Sequence, residues 1–273
     1  MSFDALPDGF LKHGFSWFVF CWLFHCLTAV VVKPNWPRFA AKDKHIRWSF
    51  YNRSTATMHS IVVFCMTVHY YLHINPGYEI SKMIQHNSFV AMTNDIMIGY
   101  LFYDLIHELN FTEKSDKETL FHHILGLATH MGARIMGSNI SVGYHMMVYI
   151  AELSTPFLHL CWGMYAMGFK ETKAFMVVCM LVLASYLFAR IMWGPYILYH
   201  FYSHRNMWSS EADRLLYLPN ILILVAFNVL NLVWYKALLV KFFGLPPNGK
   251  QNKGDPELAP GTAVDAKGKL KAK

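Results

Sequence analysis

Residues 173–201 read KAFMVVCMLVLASYLFARIMWGPYILYHF, a long apolar stretch whose only charged side chain between its ends is Arg190. A helix needs about 20 apolar residues to cross a bilayer core about 30 Å thick. The length and composition of this stretch therefore predict a membrane-spanning helix. Gly194-Pro195 predicts a kink or a split within it, because proline lacks the backbone N–H donor and its ring clashes with the preceding turn.

Six other stretches of the chain have comparable length and hydropathy. The seven predicted spans are Phe15–Val32, Thr55–His73, Phe89–Leu109, Leu120–Met136, Ile140–Met167, Lys173–Phe201 and Leu215–Phe243. The apolar run of the first span is too long for a cleavable signal peptide and no small-residue cleavage site follows it, so we expect it to stay as an anchor. Pro156 interrupts the fifth span. The sequence therefore predicts an all-α, polytopic membrane protein.

The composition of the whole chain excludes several other classes of protein. Hydrophobic residues make up 55% of the 273 residues and charged residues 15%, against about 25% charged in soluble globular domains. This excludes a soluble enzyme, a disordered chain, a collagen-like chain and a disulfide scaffold. The five cysteines lie in apolar stretches without a CxxC pair, which predicts neither a zinc site nor a disulfide framework. Since no basic stripe with interleaved aromatic residues lies outside the spans, we expect no nucleic-acid partner.

Basic residues are unequally divided between the two sides of the membrane that seven spans define. Sixteen lie in the first, third and fifth connections and the carboxyl-terminal tail, four lie on the other side, and four lie within or at the edges of spans. Because connections rich in lysine and arginine stay in the cytosol, this bias places the tail in the cytosol and the amino terminus outside or in the lumen.

Residues 244–273 are rich in proline, glycine and lysine, a composition that predicts a flexible basic tail. The tail ends in KLKAK, with Lys269 and Lys271 at the spacing of dilysine signals that return membrane proteins to the endoplasmic reticulum. On this interpretation the coat machinery is a partner of the tail. The alternative is a solubilising segment that contacts anionic lipid.

Polar side chains inside the spans are the main functional signal, because an ionisable group at bilayer depth is costly unless it is paired or hydrated. The order of the spans places many of them in the cytosolic half of the membrane. They are Arg53, His59, Asp104, His107, Glu108, His122, His123, Glu152, Asn228, Asn231 and Lys236. Since five spans contribute, we expect these side chains to converge at one depth and form a site.

Helical spacing predicts three clusters among the polar residues, since residues three, four or seven apart share a face. The clusters are Asp104 with His107 and Glu108, His123 with His130 and Arg134, and His145 with Glu152 and His159. A carboxylate beside an imidazole is the arrangement that a general base needs. The alternative is that the same groups form interhelical hydrogen bonds that hold the bundle together.

Two HxxxH pairs, His69 with His73 and His200 with His204, place two imidazoles on one helical face, as zinc sites do. Both pairs lie near the predicted lumenal ends of spans, so interfacial histidines are the competing interpretation, and we predict no metal at the site. A zinc-dependent lipid amidase built on His200 and His204 is the weaker hypothesis. The sequence has no HxxHH boxes and no GxSxG, Walker A or GxGxxG element, so di-iron, hydrolase-elbow and nucleotide-loop chemistry have no support.

The run from Gly99 to Trp162 contains GYLFYDLIHELN, LFHHILGLATHMGARIMG and VYIAELSTPFLHLCW. Flanking motifs are Trp48, Arg53, His59-Ser60, Arg190 with Pro195, and NLVW at 231–234. In this order the motifs resemble the TLC domain, the superfamily that includes the ceramide synthases, over about 48–243. The resemblance implies a six-helix bundle around a lipid-accessible cavity, here preceded by one extra span. The domains are then 1–47, with the first span and a basic connection; 48–243, the TLC domain; and 244–273, the tail.

The ceramide synthases of this family require a histidine pair and nearby aspartates to transfer an acyl group from coenzyme A to a sphingoid amine. By motif, His122, His123 and Asp104 carry over to this chain. Glu152 stands at the first acidic position of an HDxSD-like pattern, whose second acidic position is Thr155 here. AELSTPF instead resembles the small TLC-domain proteins of the domain-containing protein 4 group.

The polar positions and the resemblance together give one predicted site. Its catalytic candidates are His122, His123, Asp104 and Glu152, and its substrate-binding candidates are Arg53, His59, His107, Arg134, Arg190 and Asn231. We expect an endoplasmic-reticulum protein of lipid metabolism or homeostasis that acts as a lipid acyltransferase, with membrane lipids as partners, acyl-coenzyme A as co-substrate and no tightly bound cofactor. The alternative is a non-catalytic lipid sensor, transporter or trafficking adaptor.

Overall fold

The computed structural model describes residues 9, 11–111 and 117–243, and these residues are mostly helical and contain no strand. The α-helices are α1 (Ser16–Asn35), α2 (Pro37–Ala40), α3 (Lys44–His69), α4 (Ile80–Met83), α5 (Ser88–Phe111), α6 (Lys117–Ile135), α7 (Asn139–Val148), α8 (Thr155–Ala166), α9 (Lys173–Tyr186), α10 (Trp193–Ser203) and α11 (Glu211–Phe243). The π-helical turns are Leu11–Phe15, Tyr70–Ile74 and Leu187–Met192, and the 3₁₀ turns are Tyr149–Ser154 and Arg205–Met207.

These elements join into long helical segments that correspond to the seven predicted spans, which confirms the all-α membrane bundle. The segments cover 11–35, 44–74, 88–111, 117–135, 139–166, 173–203 and 211–243. By length and composition alone, four described helices are apolar enough to cross a membrane: Lys12–Asn35, Ser88–Asn110, Lys173–Ser203 and Glu211–Phe243. The other three segments carry more of the polar side chains, and some of these, such as His59, His130 and His145, are buried in the bundle. Among the four apolar helices, Ser88–Asn110 is the most buried, so α5 is the centre of the bundle.

The fifth predicted span is interrupted where the sequence predicts it. The 3₁₀ turn Tyr149–Ser154 separates α7 from α8, and Pro156 lies in the first turn of α8. Proline is tolerated there because the first N–H groups of a helix have no intrahelical acceptor. The turn therefore re-aims Glu152 relative to the α-helix before it, since a 3₁₀ helix has about three residues per turn.

The sixth predicted span is irregular but continuous from Lys173 to Ser203. Its irregularity is the π-helical turn Leu187–Met192, which precedes Gly194-Pro195 and carries Arg190. Such single π-helical turns widen an α-helix locally and are frequent at functional sites. Gly194 also permits close packing, because a Cβ atom there would overlap the side chain of Asn228 in α11.

The amino-terminal helix α1 packs directly on the bundle, against α3 and α5. A Cβ atom at Gly99 in α5 would overlap the backbone carbonyl of Gly14, so the two segments touch through their backbones. Trp17 donates its indole N–H to Nδ1 of His59 in α3, at 3.0 Å. The extra helix is thus an integral part of the structure, whereas the predicted tail, with Lys269 and Lys271, lies outside the described residues.

Candidate functional site

A cavity of about 620 Å³ opens among α3, α5, α6, α8, α9 and α11, at the level where the sequence predicts the polar residues to converge. We call it the polar chamber. Its charged and imidazole-bearing lining residues are His45, Arg53, Asp104, His107, Glu108, His122, His123, Glu152, His159, Arg190 and Lys241. Most of the polar residues predicted to converge therefore line one cavity, to which the sixth span also contributes. His59, Asn228, Asn231 and Lys236 do not line it.

Asp104 and His123 form the closest acid–imidazole pair of the polar chamber. Nε2 of His123 lies 3.2 Å from Oδ2 of Asp104, and Asn52 donates from Nδ2 to Oδ1 of Asp104 at 2.8 Å. The Asp104 side chain is only 7% exposed, so both of its oxygens are held by protein groups. When Nε2 carries the proton for this contact, Nδ1 is the basic nitrogen of His123. Nδ1 is buried in this structure and has no hydrogen-bond partner among the described residues.

His122 points to a different wall of the chamber from His123. Its ring packs against Phe227 and Trp234 of α11, with centroid distances of 4.8 and 5.5 Å. Its centroid lies 5.5 Å from that of His123, and its Nδ1 has no partner among the described residues. The adjacent histidines of the HH motif are therefore not equivalent, since only His123 contacts a carboxylate.

Arg190 and Glu152 are linked through the hydroxyl group of Thr155. Thr155 donates from Oγ1 to Oε2 of Glu152 at 3.0 Å and accepts from Nη2 of Arg190 at 3.3 Å. Arg190 also donates from Nε to Oγ of Ser154 at 2.8 Å, and its Nη1 lies 3.5 Å from Oδ1 of Asn231. Two irregular turns, the 3₁₀ turn before α8 and the π-helical turn after α9, thus hold the Glu152 carboxylate and the Arg190 guanidinium in one hydrogen-bonded network.

Arg53 lies over the indole ring of Trp162, with its guanidinium carbon 4.7 Å from the ring centroid. Among the described residues, no carboxylate oxygen lies within 4.0 Å of a guanidinium nitrogen of Arg53 or Arg190. A cation in a bilayer-level cavity is costly without a counter-ion. These two half-buried arginines have no carboxylate in direct contact and can each accept an anionic group, while Asp104 and Glu108 act on Arg53 from a longer distance.

Three predicted substrate-binding residues do not line the polar chamber. His59 is fully buried behind Tyr100, on which it stacks with a centroid distance of 3.9 Å. Asn231 lies behind Arg190 and accepts from the hydroxyl group of Tyr186 at 3.1 Å. Arg134 is bound elsewhere, because it forms an ion pair with the buried Asp95, with 2.7 Å between Nε and Oδ1.

Two of the three predicted clusters are also divided. His130 stacks on His145 with a centroid distance of 4.1 Å, away from His123 and Glu152. Residues seven apart share a helical face but lie about 10 Å apart along the axis, so one face reaches two different depths. His107 and His159 remain in the chamber, as does the Asp104 cluster as a whole.

The two rings of each HxxxH pair lie close together. Their centroids are 4.9 Å apart in His69 and His73 and 4.3 Å apart in His200 and His204. In the second pair, Nδ1 of His200 contacts the hydroxyl group of Tyr144 at 3.0 Å, and Nδ1 of His204 contacts the carbonyl of His200 at 2.8 Å. No three His, Cys, Asp or Glu residues of the described segments are arranged so that they could hold a metal ion.

Several side chains that line the chamber are not among the predicted site residues, notably Asn52, Trp162 and Lys241. Helical spacing could have found the first two. Asn52 shares a face of α3 with the neighbouring lining residue His45, seven positions earlier, and Trp162 lies three positions after His159 on α8. Lys241 lies seven positions after the lining residue Trp234 on α11, but the charge bias of the sequence assigns it to the basic tail side.

A bundle of membrane-type helices around a chamber that contains a histidine pair, an aspartate and two half-buried arginines defines a polytopic membrane protein with an interior polar site. The chain belongs to the TLC-domain family, whose family model, described as the TLC domain, matches residues 43–240. It is similar to TLC domain-containing protein 4-B of Danio rerio, with 24% identity over 248 residues that cover 84% of this chain and 90% of that protein. Helix α1, which packs on the bundle, precedes the matched region.

Proposed function

We propose that this TLC-domain membrane protein acts in lipid metabolism or homeostasis, as an acyltransferase that uses the polar chamber. The observation that carries the proposal is the contact between His123 and Asp104, because it places an oriented imidazole in a cavity within a membrane bundle. The Asn52 amide holds the other carboxylate oxygen and so fixes the orientation of the pair.

In the proposed reaction, a hydroxyl or amino group of a lipid attacks the thioester carbonyl carbon of an acyl-coenzyme A. His123 takes the proton of the attacking group at Nδ1 while the new ester or amide bond forms and the C–S bond breaks. The imidazolium then returns the proton to the leaving thiolate. Asp104 stabilises the imidazolium by its contact at Nε2, and the guanidinium group of Arg190 balances the negative charge of the phosphates of the acyl donor.

The direct test is turnover by the purified protein in nanodiscs of defined lipid, supplied with radiolabelled acyl-coenzyme A. We expect a new acylated lipid from the wild-type chain, and a rate lower by about 10²–10⁴ for His123→Gln, the typical contribution of a general base. His86→Gln is the matched control, because His86 is exposed and does not line the chamber. A purified, folded His123→Gln protein with an unchanged rate excludes the catalytic role.

Lipid binding without turnover is a second candidate function, as a sensor, a transporter or a trafficking adaptor. One observation favours it. Thr155 stands at the second acidic position of the HDxSD-like pattern, and its hydroxyl group, which bonds to both Glu152 and Arg190, cannot act as the second base. Retention of a lipid by the wild-type protein without any acylated product supports this function. Comparative lipid profiles of cells with and without the protein, followed by rescue with His123→Gln, distinguish the two roles in vivo.

For its location, we propose the endoplasmic reticulum with the carboxyl-terminal tail in the cytosol. The support is the bias of basic residues toward one side of the bundle and the spacing of Lys269 and Lys271 in the sequence. The double variant Lys269→Ala/Lys271→Ala tests the coat-binding interpretation. It should move the protein to later compartments, whereas Lys250→Ala/Lys253→Ala, which removes the same charge upstream in the tail, should not.

A further inference from the structure

A second cavity lies beside the polar chamber, between α3 and α8, and differs from it in chemistry. Its volume is about 680 Å³, and its surface is almost entirely apolar. We call it the lateral groove and define it by Met58, Ile61, Leu160, Gly163, Met164 and Phe169. Three of these side chains, Ile61, Leu160 and Phe169, are about half exposed, so the groove opens on the outer surface of the bundle.

The few hydroxyl groups of the lateral groove need no hydrogen-bond partner from a ligand. Ser54 donates to the carbonyl of Phe50 at 2.8 Å, and Thr57 donates to the carbonyl of Arg53 at 2.7 Å. Oγ1 of Thr57 also contacts Nδ1 of His159 at 3.0 Å. Since these polar atoms are already bonded within the protein, the groove favours a hydrocarbon chain over a polar ligand.

The lateral groove and the polar chamber share three lining residues, Arg53, His159 and Trp162. The guanidinium group of Arg53 over the Trp162 ring therefore forms the boundary between an apolar and a polar space. No carboxylate of the described residues lies within 4.0 Å of that guanidinium. A ligand that lies across this boundary would bring a hydrocarbon chain to one side and a negative charge to Arg53.

Helix α1 and the segment after it complete the lateral groove. Phe24 of α1 and Trp36, which follows α1, both line it, and both precede the region that the TLC-domain family model matches. The groove is therefore built in part by residues of this chain outside its family domain.

We propose that the lateral groove binds the hydrocarbon chain of a single-chain lipid whose anionic head, a carboxylate or a phosphate, pairs with Arg53 at the boundary with the polar chamber. The volume of the groove is within the range of about 300–1,000 Å³ that is typical of small-molecule sites, which suits one chain rather than two. This inference deepens the proposed function, because it names the class of lipid that reaches the chamber from the membrane.

Photolabelling of the purified full chain in nanodiscs tests the proposal. The probes are palmitic acid with a mid-chain diazirine, the corresponding monoacyl glycerol phosphate, and the corresponding long-chain alcohol, which has no charge. We expect at least one anionic probe to label peptides that contain 58–61 or 160–164, and the alcohol to label them more weakly. The two anionic probes distinguish a carboxylate head from a phosphate head, and preference for either supports the proposal.

Gly163→Leu is the blocking variant, because a Cβ atom at Gly163 meets no atom within 4 Å and a larger side chain can enter the groove without a clash at its base. We expect it to reduce labelling about tenfold or more. Ala184→Leu places the same side chain at an exposed position of α9 that does not line the groove, and should leave labelling unchanged. Equal labelling of Gly163→Leu and the wild-type chain, or labelled peptides confined to other helices, overturns the proposal.

Arg53 is tested separately from the groove. Arg53→Gln should weaken labelling by the preferred anionic probe about tenfold or more, as the loss of a charge-assisted hydrogen bond implies, and leave the alcohol unaffected, while Arg53→Lys should retain part of the preference. If the alcohol probe labels the wild-type chain as strongly as both anionic probes do, recognition of an anionic head is excluded. Two further measurements keep the proposals apart. If the wild-type chain is labelled in the groove but forms no acylated product, the lateral groove stands and acyl transfer is rejected. If Gly163→Leu turns over at the wild-type rate, acyl transfer stands and the lateral groove is rejected as the route by which lipid reaches the chamber.

Discussion

Arg134 binds Asp95 through two parallel hydrogen bonds, from Nε to Oδ1 at 2.7 Å and from Nη2 to Oδ2 at 3.1 Å. Asp95 lies in α5 and Arg134 in α6, and the carboxylate side chain is 1% exposed. Nδ1 of His13 is 3.7 Å from the same carboxylate. The two-pronged geometry connects two neighbouring helices at a depth where an isolated charge would be costly.

Loss of one partner of this ion pair should therefore destabilise the bundle strongly. We expect Asp95→Leu to lower the free energy of unfolding by about 3–5 kcal/mol, because it leaves the Arg134 guanidinium buried without its counter-ion. The measurement is a denaturant titration in detergent micelles. The double variant Asp95→Leu/Arg134→Met should recover most of the loss, since an apolar pair is often no less stable than a buried ion pair.

The exposed pair of Lys82 and Glu79, with 3.2 Å between Nζ and Oε1, provides the control for that experiment. Lys82→Gln should change the free energy of unfolding by about 1 kcal/mol or less, because exposed ion pairs contribute little. An Asp95→Leu protein that is no less stable than Lys82→Gln would show that the buried pair does not hold α5 and α6 together.

Gly99 should be required for the attachment of α1. Any side chain at this position would overlap the carbonyl of Gly14, and the obstacle is backbone, which cannot rotate away. We expect Gly99→Ala to cost about 1–3 kcal/mol, as overpacking does, although alanine has the higher helix propensity. Thermal unfolding of the purified protein measures the loss.

Gly132→Ala in α6 is the matched substitution for Gly99→Ala, because the added Cβ atom would meet only the side chain of Leu216, at an ordinary 3.7 Å. It should be neutral or stabilising. Equal unfolding temperatures of the two variants would mean that α1 does not approach α5 through Gly14 and Gly99.

The convergence at the polar chamber could be predicted from the sequence because it depends on few quantities. The order of the spans sets the direction of each helix, and the position of a residue within its span sets its depth. Asp104 near the end of the third span and His123 near the start of the fourth must therefore lie at one level, whatever the details of packing. Their contact at 3.2 Å agrees with that geometry.

The partner of Arg134 could not be predicted in the same way. Seven-residue and eleven-residue spacings put His123, His130 and Arg134 on one face of α6, but the face does not say which neighbouring helix each residue meets or at what depth. The rotation and offset of α5 against α6 bring Asp95 to Arg134, and these depend on how side chains pack. Glu152 illustrates a second limit, because the 3₁₀ turn before Pro156 shifts its direction away from that of His145.

The hydroxyl group of Thr155 should support both the stability of the network and the retention of lipid. Thr155→Val keeps the shape of the side chain and removes the hydroxyl, so Glu152 loses a donor and Arg190 loses an acceptor. We expect a cost of about 1–3 kcal/mol, measured by thermal unfolding, together with weaker labelling by the anionic probes. Thr155→Ser retains the hydroxyl and should behave like the wild-type chain; identical behaviour of the valine and serine variants would contradict the bridging role.

Cys161 and Cys179 should be the cysteines that an oxidant links. Their Sγ atoms lie 3.7 Å apart between α8 and α9, whereas Cys26 and Cys65 are exposed on other helices. A disulfide needs about 2.0 Å between the sulfur atoms, so a small shift of two packed helices is sufficient. Under copper-phenanthroline and oxygen, the two thiols lose two protons and two electrons, and we expect linked peptides that contain both residues. Cys161→Ser should abolish this product and Cys26→Ser should not, while a link between Cys161 and either exposed cysteine would mean that α8 and α9 are not neighbours as described.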